Sequence, residues 1–276
     1  MKKILFPTDF SPAAHNAFTY ALHLAEKYQA EIILFHTFHY AATGEFYISP
    51  ELIDRVNMEQ EGLAKEEFAR YSQRVLRELG KDIPIQHKIS YSFAIDGILH
   101  ALEETGADAI VMGTLGAGNA VGKFFGSVTS QIIEKVKVPV WAIPAAASYQ
   151  NFSNILYSTN FEEDGLAIPG IVTDLTDRFG AKLTCIHVNK KPDDPWSKLS
   201  AAVKKDLLLA HGKNIDFFVL HEPDVWKGLQ GFIQENPVDL MVTLTHSHGI
   251  FERIMHTSLT RKAALEGDTP LLALHH

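Results

Sequence analysis

The chain has 276 residues and a formal net charge of −8, a length that predicts two domains at roughly 100–200 residues each. Its 46% hydrophobic and 21% charged content suits a chain that buries an ordinary core, which excludes a disordered or fibrous protein. The acidic balance lacks the basic footprint of a nucleic-acid binder, and no apolar run reaches the ~18–20 residues of a membrane span. The start reaches Asp9 too early for a signal peptide, and the single cysteine, Cys185, cannot close an intramolecular disulfide. The cytoplasm is the expected compartment, with neither nucleic acid nor membrane as partner.

In chain order, Lys3–Pro7 reads as a short buried strand, and Pro12–Tyr28 carries Ala14, Phe18, Ala21, Leu22 and Ala25 at helical spacing. Ile32–Thr37 is the next strand. A polar loop from Tyr40 to Pro50 leads to a long helix ending at Leu79, with Phe68, Tyr71, Val75 and Leu79 on one face and Gly80 as its stop. There follow a strand Ile85–Ser90, a helix Ala94–Thr105, a strand Ala109–Met112, a glycine-rich loop, a helix Ser127–Lys135 and a strand Val138–Ile143. Strands alternating with helices predict a doubly wound α/β fold, a parallel sheet covered on both faces, with ligands beyond the strand C-termini at the switch point.

The chain then repeats itself. Ile4-Leu5-Phe6-Pro7-Thr8-Asp9-Phe10 is echoed 151 residues later by Ile155-Leu156-Tyr157-Ser158-Thr159-Asn160-Phe161, and the same offset aligns Ala30–His36 with Ala181–His187. Further on the offset is 131: Gly97 meets Gly228, Asp108 meets Asp239, and Val138-Pro139-Val140 meets Thr269-Pro270-Leu271. The second copy is therefore 20 residues shorter between its second strand and its later helix. The Ala/Ser-rich stretch Pro144–Ser153 separates the copies, giving expected domains 1–146 and 147–276, two similar folds.

The stretch after Met112 is the most informative: Gly113-Thr114-Leu115-Gly116, nine residues, then Gly126-Ser127-Val128-Thr129 at a helix start. Glycines let backbone N–H groups approach an anion, and a helix N-terminus adds unpaired donors and the positive end of its dipole, so this is a phosphate cradle in outline. The same residues would also serve as tight turns with Ser127 as a helix cap, and physics alone leaves both readings open. Walker A is not met, since Gly122-Lys123 is followed by Phe124, and Gly116-Ala117-Gly118 lacks a third glycine at the Rossmann spacing.

Lys3–Ser11, Val111–Gly116, Gly126–Thr129 and Val138–Val140, in that order and with the spacing G-x2-G-x9-G-[ST], closely resemble a universal stress protein, and the resemblance covers both halves in the manner of a tandem member. It implies five-stranded parallel sheets of order 3-2-1-4-5 and ATP or a related adenine nucleotide, with Mg as its companion ion, in a stress-response regulatory or binding module. Carried over, Asp9 would contact the adenosine, with Pro7 and Thr8 on the same wall. Thr37 would meet the base through its backbone, Met112 would pack nearby, and Gly113, Gly116, Gly126, Ser127, Val128 and Thr129 would surround the ribose and phosphates. A histidine common before the second glycine is replaced by Leu115. The resemblance also implies dimers built through the last strand, Val138–Ile143 or Pro270–Leu274, so that the two domains would pair within one chain as a pseudo-dimer, or two chains as a homodimer.

In the second copy Asp9 becomes Asn160, Pro7 becomes Ser158, and Gly113, Gly116 and Gly126 become Leu244, Ser247 and Thr257, while Ser258 and Thr260 keep the hydroxyls. The expectation is one nucleotide site, in the first domain. A nucleotide hydrolase or adenylate-transfer enzyme is the alternative, against which no general base or arginine clamp stands at the expected site.

Among fourteen histidines, His246, His248 and His256 form the tightest group, a weak candidate for Zn or Ni and hence for a metal or small-ligand sensor. A polar loop without a fourth ligand is the plainer reading. His36 and His187 occupy equivalent strand ends, which suggests a shared packing or hydrogen-bond role. No G-x-S-x-G elbow is present, and Cys185 sits in an apolar strand as a structural thiol. No catalytic residue is assigned.

Overall fold

In a computed structural model of the chain, residues 1–38, 50–80, 82–114, 127–159, 168–189, 215–245 and 269–275 are described. They fall into two compact units that change over between Val140 and Trp141.

The first repeat runs β1 (Lys3–Pro7), α1 (Pro12–Tyr28), β2 (Glu31–Phe38), α2 (Pro50–Leu79), β3 (Ile85–Tyr91), α3 (Ala94–Thr105), β4 (Ala109–Gly113), α4 (Ser127–Lys135) and β5 (Val140–Ile143), the changeover falling after the first residue of β5. Its strand order is β3-β2-β1-β4-β5, with β1 parallel to both β2 and β4. Stepping outward from β1 to β2 to β3 keeps right-handed crossovers α1 and α2 on one face; the jump from β3 to β4 puts α3 and α4 on the other. Ile4, Leu5, Phe6, Ile32, Ile33 and Leu34 are buried on both faces by these layers. Phe6 packs on Phe18 of α1 at 5.2 Å and on Tyr71 of α2 at 6.2 Å between ring centroids.

Sequence signals explain the boundaries. Ser11 caps α1, its hydroxyl accepting from the Ala14 N–H, and Pro12 occupies the first turn, where a missing N–H costs nothing. Gly80 and Gly106 stop α2 and α3 at φ +63° and +60°. The last strand starts at Val140 rather than at the expected Val138, because Pro139 has no N–H for the ladder and contributes only its carbonyl, to the Ile110 N–H at 2.9 Å. The Val75 and Leu79 side chains and the loop before Pro50 lie outside what is described.

The second unit has β6 (Asn154–Ser158), α5 (Gly170–Phe179), β7 (Lys182–Asn189), β8 (Ile215–His221), α6 (Val225–Glu235), β9 (Leu240–Thr245) and β10 (Leu271–His275). Its order, β8-β7-β6-β9-β10, reproduces the first, with β6 between β7 and β9 in place of β1 between β2 and β4.

The likeness extends to single hydrogen bonds. The Asp108 carboxylate accepts from the Lys2 and Lys3 N–H groups at 2.5 and 2.9 Å, and the Asp239 carboxylate from the Ser153 and Asn154 N–H groups at 2.8 Å each. Thr8 N–H donates to Phe35 at 2.9 Å, and Thr159 N–H to Ile186 at 3.1 Å. Gly97 and Gly228 share a role too. An added Cβ at Gly97 would lie 2.4 Å from Ser92 Oγ and 2.6 Å from Thr37 Cγ2, and one at Gly228 would lie 3.1 Å from Val188 Cγ1. Both glycines let a helix sit directly on the second strand of its unit. Cys185 is fully buried in β7, and burial pushes its thiol up to about 12, so it is chemically quiet.

Candidate site at the sheet switch point

The switch point of the first unit lies between β1 and β4, whose following helices depart to opposite faces. Four pieces of chain meet along this edge: the turn after β1, the end of β2, the end of β4 and the start of α4.

The turn is built from Thr8 to Ser11. Thr8 is buried; its hydroxyl accepts from the Phe10 N–H at 3.0 Å and shares a 3.0 Å hydrogen bond with the Tyr71 hydroxyl. Asp9 points outward, exposed, with Oδ1 accepting from the Ser11 N–H at 3.0 Å. Between them Phe10 takes a left-handed backbone, φ +60°, which a bulky residue adopts only when its surroundings impose it. The imposition is visible: its ring lies 4.6 Å from that of His36, 5.6 Å from Phe68 and 6.0 Å from Tyr71. Burial pushes the Tyr71 phenol up to about 12, partly offset by its bond to Thr8, so it stays protonated and available for that bond.

At the end of β4, Met112 is buried and Gly113 passes close under α1. A Cβ on Gly113 would sit 3.1 Å from the Ala13 carbonyl oxygen. The Thr129 hydroxyl, buried on the first turns of α4, donates to the Gly113 carbonyl at 2.9 Å and so ties the helix to the strand end. Thr37, half-buried, stands at the end of β2 opposite Ser90 of β3.

Most of the residues expected at the site can now be placed. Pro7, Thr8, Asp9, Met112, Gly113, Val128 and Thr129 gather at the switch point, and Thr37 is one strand further out. Thr8 and Thr129 spend their hydroxyls on internal bonds, and Gly113 has a packing reason to be glycine, which the sequence reading did not foresee. Gly116, Gly126 and the Ser127 side chain lie outside the described residues, although α4 does begin at Ser127. His246, His248 and His256 are outside them as well. Among the described residues no group of three metal-ligating side chains occurs, and no helix is long and apolar enough to cross a membrane.

The sequence reading missed Tyr71 and Phe10 as parts of this edge. It paired His36 with His187, and the structure gives that pair a common hydrogen bond. The His36 ring nitrogen Nδ1 lies 2.7 Å from the Thr8 carbonyl oxygen, and His187 Nδ1 lies 3.1 Å from that of Thr159.

Residues 1–144 match the universal stress protein family. Universal stress protein MJ0577 of Methanocaldococcus jannaschii is 28% identical over 153 residues, which span 51% of this chain and 94% of that protein. Universal stress protein MJ0531 of the same organism is 24% identical over 148 residues, 51% of this chain and 81% of its own. The crystal structure of a universal stress protein from Archaeoglobus fulgidus shares the fold from end to end, with a TM-score of 0.73 over 99% of this chain and 98% of that one, at 18% identity. A family match over more than half of the residues, carried on a switch-point architecture of order 3-2-1-4-5, means that this chain belongs to the universal stress protein family.

Proposed function

We propose that the N-terminal domain, residues 1–146, binds ATP or a related adenine nucleotide, with Mg where phosphates need a counter-ion, and that the protein works in stress response as a regulatory or binding module. The observation that carries this reading is the turn after β1. Its hydrogen bonds, including the one that Asp9 Oδ1 accepts from the Ser11 N–H, hold the exposed Asp9 carboxylate at the same edge as a strand end and a helix start suited to phosphate.

In the reading, Asp9 accepts hydrogen bonds from the adenosine, the Thr37 backbone meets the base, Met112 supplies apolar surface, and backbone donors from Gly113, Gly116 and Gly126 through Thr129 take the ribose and phosphates. The second domain, residues 147–276, carries Asn160, Leu244, Ser247 and Thr257 at the matching positions and holds no such site. The same reading has the two domains pair as a pseudo-dimer, or chains pair as a homodimer, in the cytoplasm; sedimentation of the intact chain reads the mass directly.

Calorimetry with ATP on the full chain is the test. We expect a stoichiometry of one and a loss of at least about tenfold in affinity for Asp9→Ala, the scale of a charged hydrogen bond removed from a desolvated site. Two equal sites per chain, or an Asp9→Ala protein that binds like wild type, would overturn it. Gly126→Val is a better cradle probe than a change at Gly113, where a Cβ would also press on Ala13. Release of ADP or AMP under turnover would favour the enzyme reading instead.

A further inference from the structure

We infer that His36 is the positioning residue for the Asp9 turn, and thereby for the nucleotide that Asp9 is proposed to hold; the second half of the inference rests on that proposal.

The chemistry of the contact fixes its direction. A carbonyl oxygen only accepts, so the 2.7 Å approach of His36 Nδ1 to Thr8 O requires the proton on Nδ1, which makes the ring a donor and leaves Nε2 as the bare nitrogen. Thr8 is the hinge of the turn. Its N–H already belongs to the β1–β2 ladder through Phe35, and its hydroxyl already receives the Phe10 N–H, so His36 supplies the partner that holds the carbonyl. The same ring lies against Phe10 at 4.6 Å and meets Phe38 edge-on at 4.7 Å. One side chain therefore anchors the residue before Asp9 by hydrogen bond and the residue after it by ring contact.

The second contact matters because Phe10 pays a conformational penalty at φ +60° that must be offset by its surroundings. Without the His36 bond and ring, the Thr8 carbonyl is free to rotate and Phe10 to relax toward ordinary backbone, and Asp9, between them, turns away. The hydrogen bond is reproduced in the second unit, where His187 Nδ1 meets the Thr159 carbonyl across the same separation of 28 residues, and the next residue in sequence is Asn160 instead of an acid. The bond is thus kept at the end of the first strand in both units, where the chain leaves the sheet. Only the first unit has Asp9 to set.

The test uses three full-length variants. His36→Leu removes the donor and the ring contact. His36→Asn restores a donor, since the amide Nδ2 falls near the place of Nδ1. His187→Leu makes the same deletion in the other unit and controls for general destabilisation. Two readouts are taken: hydrogen exchange at the Phe10 and Ser11 amides, which needs no ligand, and ATP affinity by calorimetry.

We expect His36→Leu to lower protection at those two amides by at least about tenfold and ATP affinity by a similar factor. We expect His36→Asn to recover most of both and His187→Leu to alter neither. Unchanged protection in His36→Leu, or no recovery in His36→Asn, would overturn the positioning role. If the amides respond as expected while the wild-type chain fails to bind ATP, the nucleotide reading falls and the role of His36 in the turn stands.

Discussion

At the scale of single residues, the first domain spends glycine on two different problems. Gly113 and Gly97 both sit where a side chain would meet another part of the chain, but they meet different things. Gly113 faces a backbone carbonyl, at 3.1 Å from its would-be Cβ, whereas Gly97 faces the short side chains of Ser92 and Thr37 at 2.4 and 2.6 Å. To clear the added methyl, both side chains must change χ1, which takes Ser92 Oγ off its 3.1 Å bond to Ser90, or the α3 helix must lift from β2. Gly228 is the control that the duplication provides, because its would-be neighbour, Val188, stands at 3.1 Å and needs to give only a few tenths of an ångström. Gly97→Ala should therefore cost about 1–3 kcal/mol of stability, the usual range for overpacking, and Gly228→Ala clearly less. Urea denaturation of the two variants checks the order; equal costs would mean that the local geometry of α3 on β2 is looser than the distances imply.

At the scale of elements, α2 lies over β1, β2 and β3 and buries a layer in which aromatic rings and histidines alternate. Phe68 stacks on His87 at 4.9 Å, Tyr71 lies 4.8 Å from His15, and Phe10 bridges to His36. Burial lowers the pKa of both His36 and His87. At His36 the bond to Thr8 and the nearby Asp9 charge, which favour the protonated ring, only partly offset it. His23, on α1, is lowered as well, mainly by burial, with Glu26 and Glu78 opposing.

The sign follows from linkage. A histidine whose folded pKa lies below its unfolded value of about 6.5 binds more protons when unfolded, so stability rises with pH through that window and falls on acidification. The unfolding free energy should decline as the pH is lowered from about 7 toward 5, with a shallower slope in His87→Gln and in His36→Asn. Denaturant titrations at several pH values measure it, and a flat profile would show that these rings keep their solution pKa values under α2.

The same layer shows how far the sequence could be read. Helix and strand limits were legible because they rest on local chemistry: Ser11-Pro12 opens α1, Gly80 and Gly106 close α2 and α3, and β1 is a run of apolar residues short enough to be a buried strand. Strand order was legible only through the family resemblance. The inner structure of the site was not, because Thr8–Tyr71, His36–Thr8 and Thr129–Gly113 join residues 16 to 63 positions apart. Such pairs depend on how the layers pack, and a hydroxyl in a motif looks the same whether it faces a ligand or a neighbouring tyrosine. Gly113 was read as a ligand-side glycine for the same reason; the helix pressing on it comes from elsewhere in the chain.

At the scale of the whole molecule, duplication gave two units one strand order, one pair of Asp clamps and one His-to-carbonyl bond, and then let their switch points diverge. What persists in both is what the fold needs: Asp108 and Asp239, Gly97 and Gly228, His36 and His187. What differs is Asp9 against Asn160 and Gly113 against Leu244, residues that shape the candidate site and leave the sheet order untouched. A ligand that binds only the native first unit should stabilise that unit alone, by about 2.7 kcal/mol at a hundred times its dissociation constant. Hydrogen exchange resolved along the chain, with and without ATP at that excess, separates the two units in one experiment. Protection should rise in peptides covering Pro7–Ser11, Glu31–Phe38 and Ala109–Gly113 and stay level in Asn154–Ser158, Lys182–Asn189 and Leu240–Thr245. Equal gains in both sets would mean that Asn160 and Leu244 did not silence the second unit, and that the divergence of the switch points tuned two sites instead of removing one.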